Sequence, residues 1–449
     1  MKIHFIAIGG SVMHQLAIAM KNKGYGVTGS DDEITEPSRS ALDRAGILPR
    51  EMGWHEKSVS KDLDAVILGM HAREDNPELI KARQLEIPIY SFPEYIYQVS
   101  RDKTRVVIGG SHGKTTITSM IMHVLQHAGR DFDYLVGARL DGFPYAVKIT
   151  DAPLLICEGD EYPASTLERK PKFHFLAPKI AVISGIAWDH INVFPSLEDY
   201  LSQFAIFIRQ IPKDGSLIYN MTDAKVEKLV AGHAGEIRLL PYGLPDYRIE
   251  NHRTMVFFEG HHSELEIFGE HNLLNVQAAR LVCQELGIGP REFLEAIHSF
   301  RGASRRLELV AANTHSFIYR DFAHAPSKVN ATILAVKKQF PDKKLIAVFE
   351  LHTYSSLSKT FLSQYAGAMD LADLAVVFYS PHALQLKKLP ELSRLDIHDG
   401  FRREDLHIFN TLPDLSQFLD RQQYADTVLL LMSSGNFEGL NMENLKKYL

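Results

Sequence analysis

The sequence contains very little cysteine or tryptophan, with two residues of each among 449. Cys157 and Cys283 are far apart and form no metal-type pair, so neither a disulfide framework nor a cysteine-metal site is expected, and a reducing compartment is favoured. No run of about 18 or more apolar residues is present, and the N-terminus lacks the basic-then-apolar layout of a signal peptide. We therefore expect a cytoplasmic protein with no membrane partner.

An excess of positive charge is also absent, since the formal net charge is −6 and the isoelectric point is near 6.4. Binding to duplex nucleic acid usually requires a basic surface, so no nucleic-acid partner is expected. The 45% hydrophobic and 23% charged content is ordinary for a globular protein. A chain of this length exceeds one hydrophobic core, which predicts about two to four domains.

The most informative stretch runs from Val106 to Ile117. An apolar, β-branched run leads into a glycine-rich turn, and apolar residues at helical spacing follow it. The backbone N–H groups of such a turn and the helix N-terminus bind phosphate, Lys114 supplies a cation, and the Thr115 hydroxyl can coordinate Mg²⁺. Ile108 stands where the usual P-loop has glycine, so this loop is a short variant. The stretch predicts a binding site for ATP or GTP.

The first 100 residues contain a βαβ unit with a glycine turn at Gly9 and Gly10 and an acid, Asp31, about twenty residues later. The outer glycines of the dinucleotide-binding fingerprint are missing. The turn therefore has two interpretations, binding of a phosphorylated ligand or close packing of helix on strand. A nicotinamide-dependent oxidoreductase is the alternative function that this unit suggests.

Acidic and histidine side chains follow two further predicted strands. Glu158, Asp160 and Glu161 come at the end of an apolar strand, where a carboxylate can hold Mg²⁺ beside bound phosphates. Asp189 and His190 follow the next strand. The histidine could bind a second metal, accept a proton or cap the next helix, and its position alone does not choose between these roles.

Two asparagines and two arginines flank the end of this region. Asn272 and Asn275 lie one helical turn apart, where they could bind an adenine edge or where Asn272 could cap the helix. Arg305 and Arg306 lie in a glycine-containing linker. Their side chains could reach phosphates, although a solvated basic turn is the commoner use of such a run.

A third α/β pattern occupies the rest of the chain. Because open parallel sheets bind ligands at the carboxyl ends of their strands, the polar residues there are candidate site residues. They are Asp321, His324, Glu350, His352, Ser433, Ser434, Gly435 and Asn436.

With these features in place, the chain resembles the Mur ligase family over nearly all of its length. The resemblance rests on six ordered motifs of that family. They are the short P-loop Gly110–Thr115, the acidic strand end Cys157–Tyr162, the pair Asp189–His190, the helix start Gly269–Asn275, the linker Phe300–Arg306 and the segment Asp321–Pro326.

The resemblance implies an α/β fold of three domains, each built on a mostly parallel sheet. Residues 1–100 would form a Rossmann-like UDP-sugar-binding domain, residues 101–304 a central P-loop domain that binds ATP, and residues 305–449 a C-terminal Rossmann-like domain that binds the amine. It implies ATP and Mg²⁺ as cofactors.

The resemblance also implies roles for particular residues. Those predicted to bind ATP are Gly110, Ser111, His112, Gly113, Lys114, Thr115, Thr116, Asn272, Asn275, Arg306 and Asp321. Those predicted to act in catalysis are Lys114, His190, Arg305 and His324, with Thr115, Glu161 and His190 holding the metal. Those predicted to bind the UDP-sugar are Gly9, Gly10, Ser30 and Asp31, and those predicted to bind the acceptor are His352, Tyr354 and Ser433.

Two branches of the family load the first unit onto UDP-N-acetylmuramate, one adding L-alanine and the other, a recycling branch, adding the tripeptide L-alanyl-γ-D-glutamyl-meso-diaminopimelate. Thr353 and Ser356 stand where the alanine-adding enzymes usually have arginines, and Met432–Gly439 resembles the tail of the tripeptide ligases. We predict the tripeptide as acceptor, with L-alanine as the alternative. A non-catalytic nucleotide-binding module is the remaining interpretation.

Overall fold

The structure is a computed structural model that describes the chain except for residues 71, 138–139, 141, 166, 189–192 and 303–305. The chain forms two compact units. Unit 1 contains Met1–Leu244 and Leu274–Ile297, and unit 2 contains Pro245–Leu273 and His298–Leu449. Both units are built of α-helices and mostly parallel sheets, which confirms the predicted α/β class.

Unit 1 begins with a parallel sheet whose described strands have the order β2-β1-β3-β4. Its strands are β1 Lys2–Ile6, β2 Gly26–Ser30, β3 Ala65–Leu68 and β4 Ile89–Ser91; its helices are α1 Met13–Asn22, α2 Ser38–Arg44, α3 Pro77–Gln84 and α4 Phe92–Gln98, with a 3-10 turn at Glu56–Ser58. Because the strands are parallel, the Gly9–Gly10 turn after β1 and Asp31 after β2 reach the same edge.

The second sheet of unit 1 has the order β11-β10-β9-β5-β8-β6-β7, and β7 is antiparallel to β6. Its strands are β5 Thr104–Gly109, β6 Asp133–Leu135, β7 Val147–Lys148, β8 Leu154–Glu158, β9 Ile180–Ile183, β10 Ser216–Asn220 and β11 Arg238–Tyr242. Strand β5 lies between β8 and β9, with Ile108 opposite Glu158 and Gly109 opposite Ile183. The glycine-rich loop after β5 therefore lies between the ends of two parallel neighbours.

Helices α5 Lys114–His127, α6 Leu197–Arg209 and α7 Ala224–His233 accompany this sheet, with a 3-10 turn at Lys172–Phe175. Helix α5 follows Gly113, whose φ of 80° is one that L side chains rarely adopt. Helix α6 begins at an N-cap, where the Ser196 hydroxyl accepts a hydrogen bond from the Asp199 N–H at 3.1 Å. Its buried face contributes Tyr200, Phe204, Phe207 and Ile208 to the core.

Unit 2 contains an antiparallel sheet of β12 Asp246–Glu250, β13 Arg253–Phe258 and β14 His261–Leu265. Helix α8 Glu270–Glu285 follows this sheet along the chain; it begins in unit 2, and its residues from Leu274 onward belong to unit 1. Helix α9 Pro290–Ile297 also belongs to unit 1. The larger sheet of unit 2 has the order β15-β16-β20-β17-β18-β19, in which only β15 pairs in the antiparallel sense among the described strands.

The strands of this larger sheet are β15 Glu308–Ala312, β16 Phe317–Asp321, β17 Lys344–Leu351, β18 Leu374–Tyr379, β19 His407–Phe409 and β20 Thr427–Met432. Its helices are α10 Pro326–Gln339, α11 Pro381–Leu386, α12 Arg394–Phe401 and α13 Leu412–Asp420, with 3-10 turns at Leu362–Tyr365 and Met442–Tyr448. The ends of β16, β17 and β20 share one edge, as the sequence predicted. Among the described residues, no helix is long and apolar enough to cross a membrane.

Candidate active site

The glycine-rich loop is braced by the segment that follows β9. The Ser111 N–H donates a hydrogen bond to the Gly185 carbonyl at 2.9 Å, and the Ser184 hydroxyl donates to the His112 carbonyl. Gly110 has a φ of 128°, and a side chain there would collide with Ser184. Contacts within the protein therefore determine the shape of the loop, as a preorganised phosphate site requires.

Lys114 is the first residue of α5, and its ammonium group is held on two sides. It donates to the Gly110 carbonyl at 2.6 Å and forms an ion pair with Glu161 at 2.8 Å. Burial acts to lower the pKa of Lys114, but the charge of Glu161 and the hydrogen bond to it outweigh burial and raise the pKa above its ordinary value. The lysine is therefore charged and lies at the loop, where the sequence predicted a phosphate-binding cation.

Glu158, the last residue of β8, lies beside Thr115. The Thr115 hydroxyl donates a hydrogen bond to Glu158 Oε2 at 3.1 Å. Among the described residues, Glu158 Oε1 has no hydrogen-bond partner although it is buried, and burial raises the pKa of this carboxyl group. A buried carboxylate oxygen without a partner, next to a hydroxyl, is a suitable ligand set for a hard divalent cation.

The residue pattern leaves Glu158, Asp160 and Glu161 open as metal ligands, and the family resemblance implies Glu161. In the structure, Glu161 is almost fully buried and its two oxygens accept from Lys114 at 2.8 Å and from the Tyr200 hydroxyl at 2.9 Å. Both glutamates belong to the same acidic strand end, so spacing could not separate them. The register of β8 against β5 places Glu158, and not Glu161, opposite Ile108 at the start of the loop.

A cavity of about 380 Å³ lies next to this loop within unit 1. Its lining brings together residues that are distant in the sequence and that residue spacing does not place side by side. They include Gly10, Phe92, Lys114, Glu158, Asp160 and Lys172. The ammonium group of Lys172 lies 2.7 Å from Asp160 Oδ2, so charges of both signs line the wall. The glycine turn of the first sheet and the P-loop lysine thus face one space.

The Gly9–Gly10 turn is fixed by Asp31, whose carboxylate accepts a hydrogen bond from the Gly9 N–H at 2.7 Å. Burial raises the pKa of Asp31 to about 6, even though that hydrogen bond acts in the opposite direction. Ala7 occupies the position of the first glycine of the dinucleotide-binding fingerprint. Its φ of 65° is a backbone conformation that glycine usually adopts, so the shape of the turn is kept without the glycine.

Ser30, the last residue of β2, makes its side-chain contacts inside the protein. It is 2% exposed, and its hydroxyl donates to the buried carboxylate of Glu78. Glu78 also accepts from the His55 N–H at 2.7 Å. The Ser30 hydroxyl therefore belongs to an internal polar network that nothing in the local sequence reveals, and the contact of Ser30 with the UDP-sugar remains a prediction.

The two asparagines of α8 have different surroundings. Asn275 in unit 1 lies against the P-loop, where a side chain at position 113 would collide with its Oδ1 atom. Asn272 in unit 2 donates to the Phe268 carbonyl at 2.9 Å. The proposed contact of either amide with adenine remains a prediction.

In unit 2, the carboxylate of Asp321 organises the loop at the end of β16. One oxygen accepts from the Leu307 N–H at 2.7 Å, and the other accepts from the Ala323 N–H at 2.7 Å. The guanidinium of Arg306 lies 4.7 Å from the centre of the Phe322 ring. His324 Nδ1 lies 2.9 Å from the Phe322 carbonyl oxygen. Arg306 and Asp321, which are predicted to bind ATP, and His324, which is predicted to act in catalysis, therefore form one group at a sheet edge.

A second group in unit 2 surrounds Glu350, a residue that the sequence marked only as polar. Glu350 is 2% exposed; it accepts from the Ser433 hydroxyl and from the Phe437 N–H, the latter at 2.9 Å, and His352 Nδ1 lies 3.6 Å from it. A side chain at Gly435 would collide with both His352 and Glu350. The predicted acceptor residues His352 and Ser433 thus share one buried carboxylate, whereas Tyr354 is 62% exposed.

Two of the predicted catalytic residues, His190 and Arg305, lie outside the described residues. Within the part of the chain that the structure describes, no three histidine, cysteine, aspartate or glutamate side chains converge as a metal cluster.

A braced glycine-rich loop at the centre of a mostly parallel sheet, with a charged lysine, the buried Glu161 and the half-buried Glu158, is typical of a nucleotide-dependent α/β enzyme. Residues 2–104 match the Mur ligase family catalytic domain, residues 108–283 the Mur ligase middle domain, and residues 305–435 the glutamate ligase domain of Mur ligases. The chain belongs to the Mur ligase family, whose members are ATP-dependent ligases that form C–N bonds, release ADP and act in peptidoglycan synthesis. This assignment excludes the oxidoreductase alternative.

Among curated relatives, a UDP-N-acetylmuramate–L-alanine ligase of Sulfurihydrogenibium sp. is 31% identical over 462 aligned positions, covering 100% of this chain and 98% of the relative. Among solved structures, the UDP-N-acetylmuramate–alanine ligase of Thermotoga maritima has a TM-score of 0.70 at 23% identity, covering 100% and 99% of the two chains. The murein peptide ligase of Psychrobacter arcticus has a TM-score of 0.62 at 22% identity, covering 100% and 98%. At these identities, the two solved structures show the fold alone.

Proposed function

We propose that this enzyme joins the lactyl carboxylate of UDP-N-acetylmuramate to the amino group of an amino acid or peptide. The observation that carries the proposal is the shared cavity, in which the Gly10 turn and Lys114 face one space. A glycine turn suited to a diphosphate and a lysine suited to a triphosphate would present a sugar-linked acid and ATP to each other.

The reaction begins with activation of the carboxylate, because hydroxide is too poor a leaving group for direct condensation. A carboxylate oxygen attacks the γ-phosphorus of ATP, the bond to the bridging oxygen breaks, and ADP leaves. Lys114 would exchange Glu161 for the β- and γ-phosphate oxygens, so that its positive charge offsets the charge that develops in transfer.

The amine then attacks the carbonyl carbon of the acyl phosphate, inorganic phosphate leaves with the bonding electrons, and the nitrogen loses a proton. Arg305, Arg306 and His324 are proposed to contact the transferring phosphoryl group, and Asp321 the ribose. Asn272 and Asn275 are proposed to lie near the adenine. These roles rest on the family resemblance and on the clustering of Arg306, Asp321 and His324 at one sheet edge.

Mg²⁺ is proposed as the metal, and the residues present fit it, since Glu158 offers a buried oxygen without a partner beside the Thr115 hydroxyl. We propose Thr115 and Glu158 as ligands, with Glu161 and His190 as the further ligands predicted from the family. When bound, Mg²⁺ would withdraw charge from the phosphate oxygens.

We also propose three domains with the limits 1–100, 101–304 and 305–449. A cytoplasmic location is proposed as well.

The acceptor has two candidates, each carried by a different observation. L-alanine is supported by the comparisons, since the curated relative at 31% identity and others at 29–32% are named as L-alanine ligases. The tripeptide is supported by the C-terminal domain, where Thr353 and Ser356 replace the expected arginines. In the structure, their hydroxyl oxygens lie 3.0 Å apart in a local turn, so these two positions present no guanidinium to the carboxylate of a small amino acid.

The test is phosphate release from ATP with UDP-N-acetylmuramate present, comparing L-alanine with the tripeptide. Release only with L-alanine establishes the first candidate, and release only with the tripeptide establishes the second. Release with neither acceptor, while ATP still binds, would overturn the proposed reaction. A matched variant carrying Thr353→Arg and Ser356→Arg should improve kcat/KM for L-alanine relative to the tripeptide if those positions decide the choice.

A further inference from the structure

Tyr200 is a fully buried residue of α6 whose hydroxyl lies between two parts of the candidate site. The hydroxyl donates a hydrogen bond to Glu161 Oε1 at 2.9 Å, and it lies 2.9 Å from the Ser111 hydroxyl. Neither the P-loop motif nor the acidic motif includes this tyrosine.

The contacts of Tyr200 continue on both sides into groups that surround the phosphate site. On one side, the second oxygen of Glu161 binds the Lys114 ammonium at 2.8 Å. On the other side, the Ser111 hydroxyl accepts from the Ala187 N–H at 2.9 Å, and its single proton has two acceptors within reach, the Ala187 carbonyl at 2.8 Å and the Tyr200 oxygen at 2.9 Å. One phenol therefore joins the P-loop, the segment after β9 and the carboxylate that holds the lysine.

The ring of Tyr200 is held by aromatic neighbours, so its hydroxyl has a defined position. The centre of the ring lies 5.3 Å from that of Phe194 and 5.3 Å from that of Phe204, the latter in an edge-to-face arrangement. Tyrosine has few rotatable bonds, and this packing leaves the hydroxyl aimed at Ser111 and Glu161. A phenylalanine would keep the packing and remove the polar contacts with Ser111 and Glu161.

We propose that Tyr200 is a positioning residue for ATP binding, acting through Glu161 and Ser111 rather than by touching the nucleotide. Its hydroxyl holds Glu161 in place when Lys114 leaves that carboxylate for the phosphates, and it fixes Ser111 within the loop. The inference rests on the proposed role of Lys114 at the phosphates, but it does not depend on which amine is the acceptor.

The direction of the effect follows from the hydrogen bonds. Without the phenol, Glu161 loses a donor and binds Lys114 more strongly, which makes the lysine less available to phosphate. At the same time Ser111 loses a partner in the loop. Both changes weaken ATP binding, and the loss of one hydrogen bond to a charged group corresponds to about a tenfold change in affinity.

The experiment is calorimetric titration of full-length wild type and Tyr200→Phe with ATP and, separately, with UDP-N-acetylmuramate. We expect the Kd for ATP to rise about tenfold and the Kd for UDP-N-acetylmuramate to stay unchanged. Tyr242→Phe, at a buried tyrosine of β11 outside this network, is the matched control and should bind both ligands as wild type does.

Ser111→Ala tests the same link from the loop, and the double variant measures the coupling. If Tyr200→Phe and Ser111→Ala break the same connection, the Kd of the double variant for ATP should be no higher than the higher of the two single-variant values. Wild-type ATP affinity in Tyr200→Phe, or an equal loss for both ligands together with a lower Tm, overturns the inference. Should Tyr200→Phe not fold, unchanged ATP affinity in Ser111→Ala overturns it instead. Failure of the proposed reaction would show separately, as ATP binding without phosphate release in wild type.

Discussion

The Thr115 hydroxyl donates a hydrogen bond to Glu158 over 3.1 Å, whereas Glu161, three residues further along the chain, forms an ion pair with Lys114 at 2.8 Å. Two carboxylates of one motif therefore have different partners. Glu158 lies beside the proposed metal-binding hydroxyl, and Glu161 lies beside the proposed phosphate-binding cation. Because their partners differ, substitutions of the two glutamates should have different effects on activity.

Replacing Glu158 by glutamine should raise the Mg²⁺ concentration needed for half-maximal activity at least tenfold, because a neutral amide is a poorer ligand than a carboxylate. Glu161→Gln is the matched comparison; it should raise the KM for ATP through Lys114 and change the Mg²⁺ requirement less than Glu158→Gln does. The measurement is phosphate release across a Mg²⁺ titration. A large Mg²⁺ effect in Glu161→Gln alone would instead support the assignment made from the sequence.

Lys114→Ala should lower kcat by at least about 100-fold, the loss typical of one transition-state donor. The reason is that this lysine is the charged side-chain donor proposed to contact the phosphates. The rate is read as phosphate release at saturating substrates, with Lys225→Ala on the exposed face of α7 as the control. Turnover near the wild-type value in Lys114→Ala would remove the lysine from the mechanism.

The pKa of Asp31 predicts a pH dependence of stability. Because the folded pKa is about 6 and the ordinary value is 3.8, the folded state holds more protons between those values. The free energy of unfolding should therefore fall as pH rises from about 4 to about 6, by up to about 3 kcal/mol, and level off above.

Urea unfolding of Asp31→Asn at several pH values checks this expectation. The variant should lose that part of the slope, while Asp131→Asn, at an exposed aspartate of unit 1, should keep it. Identical slopes in wild type and Asp31→Asn would show that another group is responsible.

Gly113→Ala should abolish most ATP binding, because the new Cβ atom would collide with Asn275 and the backbone φ of 80° disfavours an L side chain. Gly129→Ala is the matched control. Gly129 also has a positive φ, of 63°, but a Cβ atom there meets nothing within 4 Å. The control should lose only about 1 kcal/mol of stability and keep its affinity for ATP, as measured by titration. Equal behaviour of the two variants would mean that the contact with Asn275 is unimportant.

Much of the fold followed from pattern alone. Apolar runs of strand length alternating with helical spacing predicted parallel sheets, and the carboxyl-end rule predicted that Asp321, Glu350 and Ser433 would meet at one edge. Such features are local or depend on a simple topological rule, so they can be read without coordinates. The degraded fingerprint at Ala7 was harder to interpret, since a residue name does not reveal that its φ is 65°.

Side-chain partners were predicted less well, because each depends on where distant segments pack. Ser30 was assigned to the UDP-sugar, yet its hydroxyl belongs to Glu78, which lies 48 residues away in the chain. Glu350 was noted only as polar, although it organises the turn from Ser433 to Phe437. Long-range hydrogen bonds of this kind leave no periodic signal in the sequence.

By itself the sequence determined the α/β class, the phosphate loop and the ligase family, since these depend on short motifs and hydrophobic spacing. Only the tertiary structure decided which glutamate stands beside Thr115, which one holds Lys114, and that Tyr200 links that carboxylate to the loop. The physical reason is register. The pairing of β8 with β5 and the packing of α6 fix positions to within a hydrogen-bond length, a precision that residue spacing along the chain cannot supply.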